Sequence, residues 1–349
     1  MSAHKPRSGS MGYYPRVRAK KHLANFTSYP TIEGPAKPLN FFGYKAGMIS
    51  VFAKNAHEKS VSFGQDTTMP ATVIECPPVK IFGARVYGKT HYGLKVLGEA
   101  TIDKVDKHFR KRHVSFKKKG KKKKEEKKYA GFGDLEKFKA EAQKIVLLAE
   151  IRASETAFGK KKSDIAEITL GGSLENQFVF AKEKFGKELR ITDVFGPQQF
   201  IDVKAVDKGK GFQGPVKRFG VKVHRPKAKK HRYVGSISPW HPPTVMWTVP
   251  RPGQMGYQTR TELNKRILAI DNDVSLVNPS GGFSQYGIVK SEYIVVLGSI
   301  PGAPKRPISM RVNVRPIALT HKKFTDIKMP FGNIEEKKTA KETAEIDAQ

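Results

Sequence analysis

Residues 41–54 read FFGYKAGMISVFAK, and residues 71–89 read ATVIECPPVKIFGARVYGK. Both runs are rich in β-branched and aromatic residues and are broken by Gly and Pro, a composition typical of strands and their turns. Further runs of this type come much later, after a different central region. They are ELRITDVF (188–195), FIDVKAV (200–206), LNKRILAID (263–271), SLVN (275–278), SEYIVVLGSI (291–300) and MRVNVRPI (310–317). The sequence therefore predicts a mainly β domain, a barrel or sandwich, formed by residues 39–91 and 187–330.

Between these two parts, residues 92–186 show helical periodicity in two places. DLEKFKAEAQKIVLLAEIR (134–152) repeats apolar residues on one helical face. SLENQFVFAKEKFG (173–186) does the same, with a serine suited to the N-cap and a glycine after the last turn. Residues 164–170 resemble a strand between the two helices. The region is therefore predicted to be an α+β domain inserted into the β domain.

Charge is distributed unevenly along the chain. The 349 residues hold 65 Lys and Arg against 32 Asp and Glu, a formal net charge of +33, yet residues 208–261 contain no Asp or Glu. Ten lysines and arginines fall between Lys208 and Arg232. Because like charges repel within a fold, a single-sign segment of this length needs counter-charge from a partner. A nucleic-acid backbone supplies that charge, and the composition favours it over a membrane or an acidic substrate.

This acid-free segment is predicted to leave the β domain as a finger over residues 207–262. Both tryptophans, Trp240 and Trp247, lie in it. Trp240 stands among prolines that stiffen the backbone and prevent regular pairing. The composition predicts a rigid finger with Trp240 as an aromatic tip that inserts among nucleotides, whereas burial in a core is the ordinary alternative for a tryptophan. Trp247, in VMWTV, alternates like a strand and is predicted to pack on the stem of the finger.

Residues 1–38 are predicted to be a basic arm that RNA orders. They contain Glu33 as their single acid, and their Gly and Pro content prevents a regular helix or central strand. Four aromatic residues are spaced among the cations and are predicted to stack on bases: Tyr13, Tyr14, Phe26 and Tyr29. A disordered tail is the alternative for this arm. The lysine block at 117–128 is predicted to be a solvated loop that also touches RNA, and residues 331–349 to be a disordered tail.

Motifs that would indicate catalysis or a cofactor are weak. KGKGFQG (208–214) contains G-x-G-x-x-G, but Pro215 and the basic run after it predict no helix with an apolar face, and no acid follows at the required spacing. The glycines are instead predicted to let the backbone approach phosphates. His224, His231 and His241 have no neighbouring carboxylate or thiolate to complete a metal site or to orient a catalytic histidine. No catalytic residue, cofactor or metal is therefore predicted.

The compartment is predicted to be reducing and intracellular, and the location cytoplasmic. Cys76 is the single cysteine, which excludes an internal disulfide. The N-terminus lacks the apolar stretch of a secretory signal, and the apolar runs are too short to span a bilayer.

Three blocks of sequence resemble the ribosomal protein L3 (uL3) family of the large subunit in its archaeal and eukaryotic form. They are RSGSMGYYPR (7–16), KGKGFQGPVKR (208–218), and WHPPTVMWTV (240–249) followed by RPGQMGYQTRT (251–261). The third block is the most specific. With the order of strands and the insertion, the resemblance extends to about residue 330.

The resemblance implies a translation-factor-like β-barrel with an inserted α/β domain and two basic extensions that run into 23S-type rRNA. It implies a structural ribosomal role without catalysis: rRNA binding, support of early subunit assembly, and a finger that buttresses the peptidyl transferase region through Trp240. The partners it implies are large-subunit rRNA and the neighbouring proteins uL14, uL13 and eL24, with no membrane and no small-molecule substrate. Gln254 matches a glutamine methylated in bacterial relatives, and His231 is the counterpart of a histidine modified in eukaryotic ones.

Charge, aromatic content and resemblance together select the residues that we expect to contact rRNA. They are Arg7, Arg16, Arg18, Lys20, Lys21, Lys208, Lys210, Lys217, Arg218, Lys222, Arg225, Lys229, Lys230, His231, Arg232, Trp240, His241, Arg251, Gln254 and Arg260. Two other classes stay open. A basic RNA-modifying enzyme would need a cofactor loop or a carboxylate or metal constellation in the β domain, and a general nucleic-acid-binding protein of the chromatin type would prefer duplex DNA.

Overall fold

The computed structural model describes residues 8–102, 106–112, 131–316 and 324–333. The chain divides into two compact units. The first, here called the basic unit, combines Met1–His22 with Val206–Arg260. The second, here called the sheet unit, combines Leu23–Ala205 with Thr261–Gln349.

The described part of the chain is mainly β, which confirms the predicted class. It contains sixteen strands: β1 (Lys37–Pro38), β2 (Asn40–Asn55), β3 (Asp66–Glu75), β4 (Val79–Thr90), β5 (Gly93–Thr101), β6 (Ala142–Ile151), β7 (Asp164–Gly171), β8 (Glu188–Leu189), β9 (Phe200–Val206), β10 (Phe212–Gln213), β11 (Gly253–Gln254), β12 (Thr259–Asp271), β13 (Tyr293–Leu297), β14 (Pro307–Val312), β15 (Phe324–Met329) and β16 (Gly332–Asn333). Its helices are α1 (Lys107–Arg110), α2 (Phe132–Glu136), α3 (Leu174–Lys184) and α4 (Pro215–Phe219). Among the residues described, no helix has the length and apolar character needed to cross a membrane.

Eight strands form one sheet in the order β14-β9-β12-β13-β3-β2-β15-β16. β14 also pairs with β2, so six of these strands close into a ring of backbone pairing. The length of β2 makes this closure possible: residues 40–44 pair with β14, and residues 52–55 pair with β15. A closed ring leaves no unpaired edge among its six strands, and it gives the sheet unit a rigid frame.

The second sheet has the order β1-β7-β6-β4-β5, and β8 pairs with β4. Helix α3 packs against β6 and buries Phe178 and Ala181. The predictions of a helix over 173–186 and a strand over 164–170 are confirmed by α3 and β7. As expected, the Ser173 hydroxyl accepts from the Asn176 amide, and Gly186 has a left-handed φ of 78°. Buried side chains of both sheets join one contiguous hydrophobic core.

The predicted helix over 134–152 is wrong. Helix α2 ends at Glu136, and residues 142–151 form β6, which pairs with β4 on one side and β7 on the other. Every residue from Ile145 to Ile151 is buried. A continuous apolar run of this length fits a central strand as well as a helix, so periodicity alone does not separate the two.

Two of the shorter strand predictions also fail. SLVN (275–278) contains a 3-10 turn at Val274–Leu276 instead of a strand. In ELRITDVF only Glu188–Leu189 pairs as a strand, and a 3-10 turn follows at Ile191–Asp193. The apolar residues of both segments are buried. Their apolar composition therefore reflects burial in the core and does not indicate strand pairing. β5 was not predicted.

Phe26 is part of the sheet unit. Its ring is buried, and the Arg311 guanidinium lies 4.3 Å from the ring centroid. Arg311 also donates to the Ser28 carbonyl at 2.5 Å and forms a buried ion pair with Asp202 at 2.9 Å. The prediction that Phe26 stacks on bases is therefore wrong, because its faces are used within the protein.

Candidate nucleic-acid interface

The basic unit carries almost exclusively positive charge. Its described residues, 8–22 and 206–260, hold sixteen lysines and arginines and one carboxylate, Asp207. That carboxylate accepts from the Gln258 amide at 2.8 Å and lies 3.7 Å from Nε of Arg260. The positive field of this unit is therefore not compensated within it.

The base of the finger is closed by a short clasp of two strands. β10 and β11 pair with Phe212 opposite Gln254, and the Lys210 amide donates to the Met255 carbonyl at 3.0 Å. Gly256 has a φ of 69°, and a Cβ at this position would lie 2.1 Å from the Lys208 carbonyl oxygen. A glycine is therefore required here for the two segments to approach each other.

Helix α4 begins directly after the clasp, contrary to the expectation of no helix at G-x-G-x-x-G. Gly214 is its N-cap, Pro215 is in its first turn, and Gly220 ends it in the left-handed conformation. The helix has five residues and is anchored by Phe219, which is buried. One buried ring is enough to anchor a helix of five residues. The lack of an apolar helical face in the sequence therefore did not rule out a helix here. The carboxylate that a dinucleotide site needs is still missing, because the next acid is Glu262.

Arg218 binds three backbone carbonyl groups, one in the arm and two in the segment 251–254. Its Nε donates to Gln254 at 2.9 Å, its Nη1 to Arg251 at 2.9 Å and its Nη2 to Arg16 at 3.1 Å. The structure thus gives this predicted RNA contact a structural role, since most of its donors are directed at the protein.

Arg16 completes the junction between the arm and the base of the finger. Its Nη1 donates to the Arg218 carbonyl at 2.6 Å, and its guanidinium lies 4.3 Å from the Phe219 ring centroid. Tyr14 packs beside it, with ring-centroid distances of 5.9 Å to Phe219 and 5.4 Å to Trp247. Residues of the arm that were expected to contact RNA therefore also hold the basic unit together.

Two further residues that were predicted to contact RNA, Arg260 and His231, interact with other residues of the basic unit. Arg260 donates to the Gln258 side-chain oxygen at 2.6 Å and lies over the Tyr13 ring. The His231 Nδ1 lies 3.1 Å from the Arg225 carbonyl oxygen.

Most of the predicted contacts are exposed, as phosphate-binding cations need to be. Arg7 lies outside the described residues, as does the lysine block at 117–128, and so does most of the predicted tail. The exposed members of the predicted set are Arg18, Lys20, Lys21, Lys208, Lys210, Lys217, Lys222, Arg225, Lys229, Lys230, Arg232, Trp240, His241 and Arg251.

The finger beyond α4 has no regular structure. Within residues 221–250, all of them described, there is neither a helix nor a strand. Trp240 is 88% exposed, so it is not a core residue of this chain. Trp247 lies in a turn and not in a strand, which makes the strand prediction wrong; its ring meets the edge of Tyr14. Prolines and uncompensated charge explain the irregular backbone.

Glu75 and Tyr286 form a buried, hydrogen-bonded pair in the core of the sheet unit. Burial raises the pKa of Glu75, whose carboxylate accepts from the amides of Lys290 at 2.7 Å and Ser291 at 2.9 Å and from the Tyr286 hydroxyl. Burial likewise raises the pKa of Tyr286. Among the described residues, no group of His, Cys, Asp and Glu could hold a metal ion. Hydrogen bonds within the fold therefore compensate for the burial of Glu75 and Tyr286.

Three residues of the interface were missed from the sequence. Asp207 is the acid immediately before the acid-free stretch, so its position was a usable signal. Phe219 is a lone aromatic residue within the basic run, and that isolation also marks it. Tyr257 has a φ of 52°, and no sequence pattern indicates a tyrosine in this conformation.

Comparison with known proteins agrees with this architecture. The family model described as Ribosomal protein L3 matches residues 1–338. The large ribosomal subunit protein uL3 of Methanocaldococcus jannaschii is 42% identical over 321 residues, which are 90% of this chain and 93% of that protein. Proteins of the same name from Archaeoglobus fulgidus and Methanothrix harundinacea are 39% and 38% identical, cover 90% and 94% of this chain, and are themselves covered over 94% and 95%. The chain therefore belongs to the ribosomal protein L3 family.

Proposed function

We propose that this chain is a structural protein of the large ribosomal subunit, not an enzyme, and that it binds large-subunit rRNA through its basic unit. Membership of the L3 family and the names of the relatives support the ribosomal role. The observation that carries the RNA-binding role is the charge of the basic unit, whose described residues hold sixteen cations and a single carboxylate, which is paired with Arg260. Such a surface has its natural counter-charge in phosphates.

The mechanism is electrostatic and mechanical. Exposed lysines and arginines neutralise phosphates that would otherwise repel one another as rRNA helices pack. The clasp of β10 and β11 and the carbonyl bonds of Arg218 fix the base of the finger before RNA arrives. Preorganisation of this kind lowers the entropy cost of binding.

The finger is proposed to reach among nucleotides and to buttress the peptidyl transferase region, with Trp240 at its tip. The exposure of this indole supports the proposal, because a large aromatic side chain in water gains most from stacking on a base. Peptide-bond chemistry would belong to the RNA, and the finger would influence its geometry.

The remaining parts of the proposal concern architecture and setting. The six-stranded ring is proposed to be a translation-factor-like β-barrel, and residues 92–186 to be the α/β insertion of archaeal and eukaryotic members. On the basis of the family resemblance we also propose a role in early subunit assembly, proximity to uL14, uL13 and eL24, and a cytoplasmic location.

The test is binding of the purified chain to fragments of large-subunit rRNA over a range of salt concentrations, with duplex DNA of equal length as competitor. We expect tight binding to one rRNA domain, a steep salt dependence and poor competition by DNA, because irregular RNA offers unpaired bases and shapes that a duplex lacks. Equal binding to rRNA and to duplex DNA would mean that the chain binds polyanions through charge alone. That result would contradict the proposed specificity for rRNA.

A further inference from the structure

The basic unit contains an open cleft of about 520 Å³. Small-ligand sites are commonly concavities of about 300–1,000 Å³, so this cleft can accept a group the size of one nucleotide. The arm forms one wall and the base of the finger forms the other. The lining residues are Arg18, Ala19, Lys20, Gly211, Gln254 and Tyr257.

The two walls are fastened to each other by Tyr257. The Ala19 amide donates to the Tyr257 carbonyl at 2.8 Å, and the Tyr257 hydroxyl lies 3.2 Å from Nδ1 of His22. Tyr257 adopts a φ of 52°, in the left-handed region that favours glycine. A non-glycine residue held in this conformation costs energy, and such positions cluster at functional sites.

Gln254 lines the cleft, and its side-chain amide is held by the backbone. Its Nε2 donates to the carbonyl groups of Met255 at 3.1 Å and Gly256 at 2.9 Å, which fixes the amide group. With the two amide hydrogens used in this way, Oε1 is the acceptor of this side chain. An acceptor next to an aromatic residue suits a base, which offers an N–H edge and a π face.

The charge of the cleft selects an anion. Arg18 and Lys20 are exposed on one wall. The carboxylate of the described basic unit, Asp207, is already bonded to the Gln258 amide and paired with Arg260. A phosphate group would therefore meet two cations and no competing carboxylate of this unit.

We propose that this cleft holds one unpaired nucleotide of the bound RNA, with its phosphate on Arg18 and Lys20 and its base against Tyr257 and Gln254. The proposal rests on the proposed RNA-binding function and adds a defined single-nucleotide site to it. A base inside a duplex cannot enter such a cleft, so the nucleotide is taken from a loop, a bulge or a single strand.

The experiment fills the cleft without changing charge. Ala19→Trp places a bulky side chain in the lining, and Val17→Trp places the same indole at an exposed position two residues away on the arm. Both variants are bound to the rRNA fragment that the wild type prefers, and the RNA is probed chemically. We expect Ala19→Trp to bind about tenfold more weakly, the loss of one stacked base, and one protected unpaired nucleotide to become reactive. Val17→Trp should retain the wild-type affinity and footprint.

The possible failures are distinguishable. If the wild type does not bind rRNA, the proposed function itself fails. If the wild type binds but Ala19→Trp matches Val17→Trp in affinity and footprint, only the cleft proposal is overturned. Tight binding of adenosine monophosphate to the RNA-free chain would assign the cleft to a free nucleotide and also overturn it. If Ala19→Trp melts early, the double variant R18A/K20A replaces it, and the same exposed nucleotide is expected. Its control is K59A/K95A, which removes the same charge at exposed positions of the sheet unit and should leave that nucleotide protected.

Discussion

The guanidinium of Arg218 donates to carbonyl groups of Arg16, Arg251 and Gln254, so it ties α4 both to the arm and to the segment 251–254. Lysine could keep the charge but not the planar fork that reaches three acceptors. Position, and not charge alone, therefore separates cations that hold the basic unit together from cations that we propose contact RNA.

Arg218→Lys is expected to loosen the basic unit at constant net charge. Hydrogen bonds to charged groups contribute about 1.5–3 kcal/mol each in favourable cases, and at least one would be lost. Hydrogen exchange should increase at the amides of Lys210 and Met255, which belong to the clasp. Arg232→Lys is the matched control, since it makes the same charge-conserving change at an exposed position of the finger. Equal exchange rates in Arg218→Lys and the wild type would refute the structural role of Arg218.

Glu75 gives a pH prediction for the sheet unit. Burial raises the pKa of the Glu75 carboxyl in the folded chain above its value in the unfolded chain. The protonated carboxyl therefore contributes fully to stability below the unfolded-state pKa, and this contribution is lost as the pH rises through the folded-state pKa. Glu75→Gln stays neutral and should therefore gain free energy of unfolding relative to the wild type as pH rises. Urea unfolding from about pH 4 to 8 measures the difference, and Glu58→Gln, at an exposed position, is the control. A difference that does not change with pH would be inconsistent with a raised pKa.

At the scale of elements, β6 shows where sequence reasoning succeeds and where it stops. The apolar run from Ile145 to Ala149 identified a buried element, and its burial is confirmed. Its type was decided by pairing with β4 and β7, which lie far away in sequence. By contrast, α3 was predicted correctly because its caps and its amphipathic pattern are local signals.

The finger is an element whose irregularity could be predicted and whose contacts could not. Its prolines disfavour regular structure, and neither a helix nor a strand is present over residues 221–250. The junction of Arg16, Arg218 and Phe219 joins residues about 200 positions apart in sequence, and no local pattern encodes such a contact. The left-handed φ of Tyr257 at the cleft is likewise a property of the folded chain.

Trp240 and Phe219 are expected to differ sharply when truncated. Trp240→Ala should change the free energy of unfolding by less than about 0.5 kcal/mol, because the indole is 88% exposed. Phe219→Ala should cost about 3–5 kcal/mol of local stability, because its ring is buried and contacts Tyr14 and Arg16. Denaturant unfolding of the free chain measures both effects. A large loss in Trp240→Ala would mean that the indole is packed in the free protein.

For the whole molecule, the division into two units separates two physical tasks. The sheet unit has a contiguous apolar core and a closed ring of strands, which supply stability without a partner. The described part of the basic unit holds sixteen cations, most of them exposed, against one carboxylate, so its charge must be neutralised from outside. The uneven charge along the sequence predicted that one segment binds a polyanion. Membership of the L3 family indicates the ribosome as the assembly in which we propose that this binding takes place.

The most direct measurement compares two variants with equal loss of charge. One replaces four exposed lysines of the basic unit by alanine, and the other replaces four exposed lysines of the sheet unit. The basic-unit set is Lys208, Lys217, Lys222 and Lys229, and the sheet-unit set is Lys59, Lys89, Lys95 and Lys187.

The logarithm of the rRNA dissociation constant is measured against the logarithm of salt concentration for both variants and the wild type. If the basic unit is the RNA-binding surface, the basic-unit variant should bind at least tenfold more weakly, and its salt slope should fall by about three. The sheet-unit variant should keep a slope close to that of the wild type. Equal losses in the two variants would show that only total charge matters, and would contradict the assignment of rRNA binding to the basic unit.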